Sequence, residues 1–162
     1  MYSKSKKERT KKIIIILLIV FVVCIVAFIF SNSLKGSRDT VSQSKIVASK
    51  IQKVVDSDKK ISRDIFHGVI RKIAHIAEFS LLGIGLGSTF YAAYLFWGKK
   101  YISLPILLGL SVAVCDEFIQ SFGSRKSLVS DVLIDFGGIL FGFLIILSMS
   151  FLINKIRKKR QQ

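Results

Sequence analysis

Residues 13–30 (IIIILLIVFVVCIVAFIF) run for 18 positions without a charge. A helix rises about 1.5 Å per residue, so this run nearly crosses a hydrocarbon core of about 30 Å. Three more stretches have comparable character: 73–97, broken only by His75 and Glu78; 101–121, holding Asp116, Glu117 and Gln120; and 128–153, holding Asp131 and Asp135. Each has about the length that a tilted spanning helix needs. The chain carries 25 Lys+Arg against 10 Asp+Glu, yet 51% of its residues are hydrophobic and its mean hydropathy is +0.54. A disordered basic arm lacks that apolar content, which excludes nucleic-acid binding as the main role. The expected fold class is therefore all-α: a polytopic membrane protein of four transmembrane helices, with an amphipathic extracytoplasmic segment between helices 1 and 2.

The flank at 6–12 (KKERTKK) looks like the charged start of a signal peptide, but the apolar run exceeds the usual h-region of about 7–15 residues. A retained span is expected. The expected organisation is a basic N-terminus (1–12), a membrane domain (13–153) and a basic tail (154–162). The outer loop at 31–72 mixes Ser, Lys and Asp with Val41, Ile46, Val47, Ile51, Val54 and Val55, at the near-helical spacing of an amphipathic surface helix. Tyr94, Trp97 and Tyr101 gather at one membrane end, as interfacial aromatics do. With both termini cytoplasmic, 13 of the 25 basic residues fall in the short inner flanks. The positive-inside rule scores such a distribution, although the outer loop is basic as well.

That orientation puts the intramembrane polar groups in one layer. His75 and Glu78 lie in the first turns of span 2, Asp116, Glu117 and Gln120 in the last turns of span 3, and Asp131 and Asp135 in the first turns of span 4. All then sit just below the extracytoplasmic surface. Arg71, His75 and Glu78 share a helix face by their spacing of four and three, with His67 one turn earlier. Asp116 and Gln120, and Asp131 and Asp135, are four apart. Such stripes fit a polar seam facing the bundle interior, because a charge in hydrocarbon costs several kcal/mol. Arg71 and Arg125, at the outer ends of spans 2 and 4, offer paired donors to an anion. The pairs Gly83/Gly87 and Gly138/Gly142 are read as helix-packing devices rather than phosphate loops. Cys24 and Cys115 are read as small buried hydrophobes.

Four elements in order resemble the VanZ-like membrane family: Phe30-Ser31-Asn32-Ser33; Arg71-Lys72-Ile73-Ala74-His75-Ile76-Ala77-Glu78-Phe79; Asp116-Glu117-Phe118-Ile119-Gln120; and Gly123-Ser124-Arg125 followed by Ser130-Asp131-Val132. The Gly137-Gly138…Gly142 run fits as well, while Asp135 stands where the family pattern often carries Asn. The resemblance implies a bacterial integral membrane protein whose named member lowers susceptibility to the glycopeptide teicoplanin. It implies a place and a phenotype, not a reaction.

Two main uses of the polar layer stay open at this point. As a working pocket it would bind or modify an envelope lipid, a lipid-linked wall precursor or a lipid-bearing glycopeptide. The catalytic candidates are then His75 as general acid or base with Glu78 and Glu117 beside it, and the ligand-binding candidates are Arg71, Asp116, Gln120, Arg125, Asp131 and Asp135. No cofactor is required. A metal variant would place Mg²⁺ or Mn²⁺ among His75, Glu78, Glu117 and Asp131. Alternatively the layer is helix-to-helix glue in a non-catalytic scaffold. An ion-coupled transporter is disfavoured, since the inner halves of spans 2 to 4 carry no acids.

Overall fold

The computed structural model describes residues 2–34, 63–98, 102–122 and 129–160. They form four helices: α1 (Tyr2–Leu34), α2 (Arg63–Trp97), α3 (Ser103–Ser121) and α4 (Val129–Lys159). All four are long and apolar enough to cross a membrane, and no strand occurs among the described residues. The chain is an all-α, multi-pass membrane protein.

The helices overrun the apolar stretches that announced them. Residues 31–34 remain in α1, and α2 starts at Arg63, so part of the segment expected as an outer loop is helical. Likewise α4 continues through Ile153 to Lys159. Hydropathy marks where a helix meets hydrocarbon, whereas the backbone ladder continues through Lys and Arg, which are good helix formers. What stops α2 is Gly98, at φ +69°, whose N–H donates to Tyr94 O at 2.8 Å. Glycine takes this left-handed conformation without a Cβ penalty. The lone proline, Pro105, sits in the first turn of α3, where its missing N–H removes no helical hydrogen bond. Tyr94 and Trp97 lie exposed at the end of α2. The apolar spacing at Val41–Val55, together with Tyr101 and Arg125, lies outside the described residues.

Contacts fix the register. Gly138 of α4 faces Ile76 of α2, Gly142 faces Ser80, and Gly87 faces Ile146, so α2 and α4 run side by side in the same direction. In α1 the order reverses: Asn32 meets Glu78, and Lys11 lies 6.0 Å from the Phe96 ring centroid. Gly109 of α3 meets Leu86 and Ile139, with Asp116 at the His75 end, so α3 is antiparallel to α2 as well. One end of the bundle therefore collects the C-termini of α1 and α3 with the N-terminal halves of α2 and α4. Beneath it lies the apolar core of Ile29, Phe79, Leu82, Leu86, Ala113 and Ile139.

The remaining apolar surface is not buried by protein. Leu17, Val23, Phe28, Leu107, Phe118 and Phe141 are exposed on the sides of the helices, the surface that a bilayer covers. The cysteines belong here, contrary to the expectation that they are buried: Cys24 and Cys115 are both free and exposed. In a span, an apolar setting in sequence is equally a lipid-facing or a core position.

Candidate functional site

The polar layer begins with α1. Its last turn carries Asn32, whose Nδ2 donates to Glu78 Oε1 at 3.1 Å, and Ser33, whose hydroxyl donates to Asp116 Oδ1 at 2.5 Å. Asp116 is fully buried, and its Oδ2 accepts from Gln120 Nε2 at 2.6 Å along α3. A buried carboxylate requires such donors, because its lone pairs have lost water. Helix α1 is thus tied into the bundle by hydrogen bonds at one end, while most of its length faces outward.

The second half of the layer joins α2 to α4. His75 Nδ1 lies 3.4 Å from Asp135 Oδ1, and the imidazole stacks against the buried Phe79 ring with centroids 6.4 Å apart and planes within 14°. Asp135 is only 2% exposed, and its Oδ2 has no hydrogen-bond partner. One turn earlier on α4, Asp131 Oδ1 sits 3.6 Å from the half-exposed Lys72 Nζ. A cavity of about 20 Å³ opens among these groups, lined by Arg71, Lys72, His75, Glu117, Gln120, Asp131 and Asp135. That is room for a water-sized occupant.

The expected stripe of Arg71, His75 and Glu78 is therefore divided. Arg71 and His75 line the cavity, while Glu78 turns to Asn32 on α1 and does not line it. Three positions along a helix correspond to a rotation of about 60°, enough to face a different neighbour. Asp116 and Glu117 are both buried, although only Glu117 lines the cavity. The side chain of His67 and all of Arg125 lie outside the described residues. Asn32 and Ser33 stand out in the sequence only as part of the Phe30–Ser33 motif, yet they belong to the site. The available signal was their place, directly after an apolar run and level with the acids of three other helices.

The donor set able to surround a cation also differs from the one the sequence suggested. Donor atoms of His75, Asp116 and Asp135, one from each of α2, α3 and α4, all lie within 4.8 Å of one another. Glu78, expected among the ligands, is engaged by Asn32. Chemically, the layer offers an imidazole for proton transfer, carboxylates for a cation, and two basic side chains at its rim for an anion. A larger cavity of about 290 Å³ lies at the opposite end, among Phe90, Tyr91, Tyr94, Pro105, Phe143 and Leu147. Its lining is mostly apolar and holds none of these groups.

If the Ser33–Asp116 contact holds α1 in place, a double-mutant cycle should detect it. Ser33→Ala and Asp116→Ala should couple by about 1 kcal/mol, within the range measured for hydrogen bonds between membrane helices. Unfolding of the purified protein in micelles measures this, and additive losses would show that the bond contributes nothing.

Neither the curated proteins nor the solved structures offer a match to the chain. A family model does: the VanZ/LLP1 model matches residues 15–153, a stretch that spans the apolar part of α1, the whole polar layer and all but the basic end of α4. The protein belongs to the VanZ/LLP1 family.

Proposed function

We propose that this protein sits in the cell membrane with both termini in the cytoplasm, and that its polar cavity opens to the extracytoplasmic leaflet. There it binds or modifies an anionic group of an envelope lipid, a lipid-linked wall precursor or a lipid-bearing glycopeptide, and so lowers susceptibility to teicoplanin. The observation that carries this reading is the cavity itself. Three helices contribute its lining, acids and a histidine form its depth, and Arg71 and Lys72 stand at its rim. Charges that only snorkel to the interface point away from one another. Guanidinium and ammonium groups above a small polar hollow suit a phosphate or carboxylate that approaches from the membrane surface.

A scaffold role accounts for the other half of the layer. The Asn32–Glu78 and Ser33–Asp116 bonds join α1 to α2 and α3 and need no ligand. Transport is less well supported, because the core of Phe79, Leu82, Leu86 and Ile139 lies between the cavity and the opposite end.

The test is a susceptibility assay in a teicoplanin-sensitive bacterium. Expression of the wild-type chain should raise the inhibitory concentration, and His75→Ala or Glu117→Gln should return it to the empty-vector level at unchanged membrane abundance. Protection retained by both variants would overturn the working-site reading. Loss of both variants from the membrane would favour the scaffold. Native mass spectrometry of protein extracted from anionic membranes supplies a direct readout: phosphate-bearing lipid should co-purify with the wild type and be depleted in Arg71→Ala/Lys72→Ala.

A further inference from the structure

We propose that His75, Asp116 and Asp135 form a binding site for one divalent cation of the Mn²⁺ or Zn²⁺ class. Three helices each contribute one donor, and the donor atoms lie within 4.8 Å of one another. Around an ion with bonds of about 2.1 Å the donors stand roughly 3.0–3.4 Å apart, so a pair at the 4.8 Å limit must close by about 1.4–1.8 Å, under about an ångström for each side chain. Such motion lies within the rotational freedom of an imidazole and two carboxylates.

A second observation points independently to an occupant. Asp135 is 2% exposed and lines the cavity, yet its Oδ2 accepts no hydrogen bond. A carboxylate removed from water needs a donor or a cation on each oxygen. Lys72 does not serve it, being half-exposed and turned to Asp131, and Arg71 is exposed at the rim. The cavity of about 20 Å³ touches two of the three donors, His75 and Asp135, with Asp116 outside its lining, and its volume suits a single small occupant.

The surroundings are those of a supported ligand set. Ser33 and Gln120 each donate to one oxygen of Asp116, which fixes the carboxylate plane and leaves each oxygen a further lone pair. The Phe79 ring lies nearly parallel to the His75 imidazole, with centroids 6.4 Å apart. Outer contacts of this kind orient metal ligands and raise affinity. An imidazole favours a transition metal, whereas a carboxylate pair is equally suited to harder ions, and the mixed set indicates Mn²⁺ or Zn²⁺. Three protein donors leave coordination positions open. An oxygen of an anionic headgroup can fill one of them beneath Arg71 and Lys72; this last step rests on the function proposed above, and the cation site itself does not.

The experiment uses the full chain in nanodiscs of zwitterionic phosphatidylcholine, stripped with chelator and titrated with MnCl₂ under electron paramagnetic resonance. Without anionic lipid, the result bears on the ion alone. The wild type should remove one Mn²⁺ per chain from the free signal, and Zn²⁺ should displace it. Asp135→Asn and His75→Gln should each weaken binding by about tenfold or more, and Ser33→Ala, which removes a donor that orients Asp116 and ties α1 to it, by about tenfold. Glu8→Gln, an acidic-residue control on the N-terminal part of α1, should leave it unchanged. Asp135→Asn keeps the side-chain shape, and circular dichroism verifies its fold. The proposal is overturned if stoichiometric Mn²⁺ binding is absent in the wild type, or if binding survives Asp135→Asn and His75→Gln intact.

Discussion

Gly142→Ala should lower the melting temperature of the purified protein by roughly 6–12 °C, the equivalent of about 3 kcal/mol in a domain of this size. The reason is a backbone collision. A Cβ at Gly142 would press into the carbonyl oxygen of Ser80 and approach the Ile84 nitrogen within 2.9 Å. Its counterpart on α2, Gly83, would press into the carbonyl oxygen of Ile139. Neither obstacle is a side chain that can rotate away, so α2 and α4 must separate, and dispersion contacts along their whole shared length weaken with distance. Gly87 is the graded case: its Cβ would meet Phe143 and Ile146 side-chain atoms at 3.1–3.4 Å, which can give, and the loss should be smaller. Gly137 is the control, with nothing within 4 Å of its Cβ, and Gly137→Ala should melt like the wild type. Thermal unfolding in micelles ranks the four proteins. Equal melting of Gly142→Ala and Gly137→Ala would mean that the close α2–α4 approach does not stabilise the bundle.

These glycines also show how much of the molecule could be read from its residues. The four-residue spacing of Gly83/Gly87 and Gly138/Gly142 points to close packing, and both pairs lie in the one α2–α4 interface. The four spans were legible because a 30 Å apolar medium imposes a length that composition reveals directly. Legible too was the collection of acids at one end, since alternating spans convert positions in sequence into depth. What composition does not encode is rotation about the helix axis. By their neighbours in sequence Cys24 and Cys115 belong in the core, yet they lie outside it, because the same apolar residues serve lipid and protein neighbours. His75 and Glu78 share one face by their spacing, yet meet different helices. The contribution of α1 is silent in the sequence for a related reason: Asn32 and Ser33 are uncharged, and only the packing of the α1 end against α2 and α3 gives them carboxylate partners.

Phe79→Ala should cost about 3–5 kcal/mol, the loss typical of removing a fully buried phenylalanine from a core. The residue is 0% exposed and belongs to the apolar cluster with Leu82 and Ile139. It also stands at the junction of three features. The open position of Gly138 leaves room for the Phe79 Cβ, its ring stacks on His75, and it sits between the polar layer and the apolar interior. Truncation would leave a void that neighbouring backbones cannot close, since α2 and α4 already touch. The effect on the site separates from the effect on the fold in a second variant. Phe79→Leu retains most of the volume and should cost under about 1.5 kcal/mol, as volume-conserving swaps do. It nevertheless removes the flat surface against which the imidazole lies. If that surface orients His75, Phe79→Leu should weaken Mn²⁺ binding several-fold while melting close to the wild type. If binding instead follows stability alone, the leucine variant should bind as the wild type does, and the ring is core packing with no part in positioning the histidine.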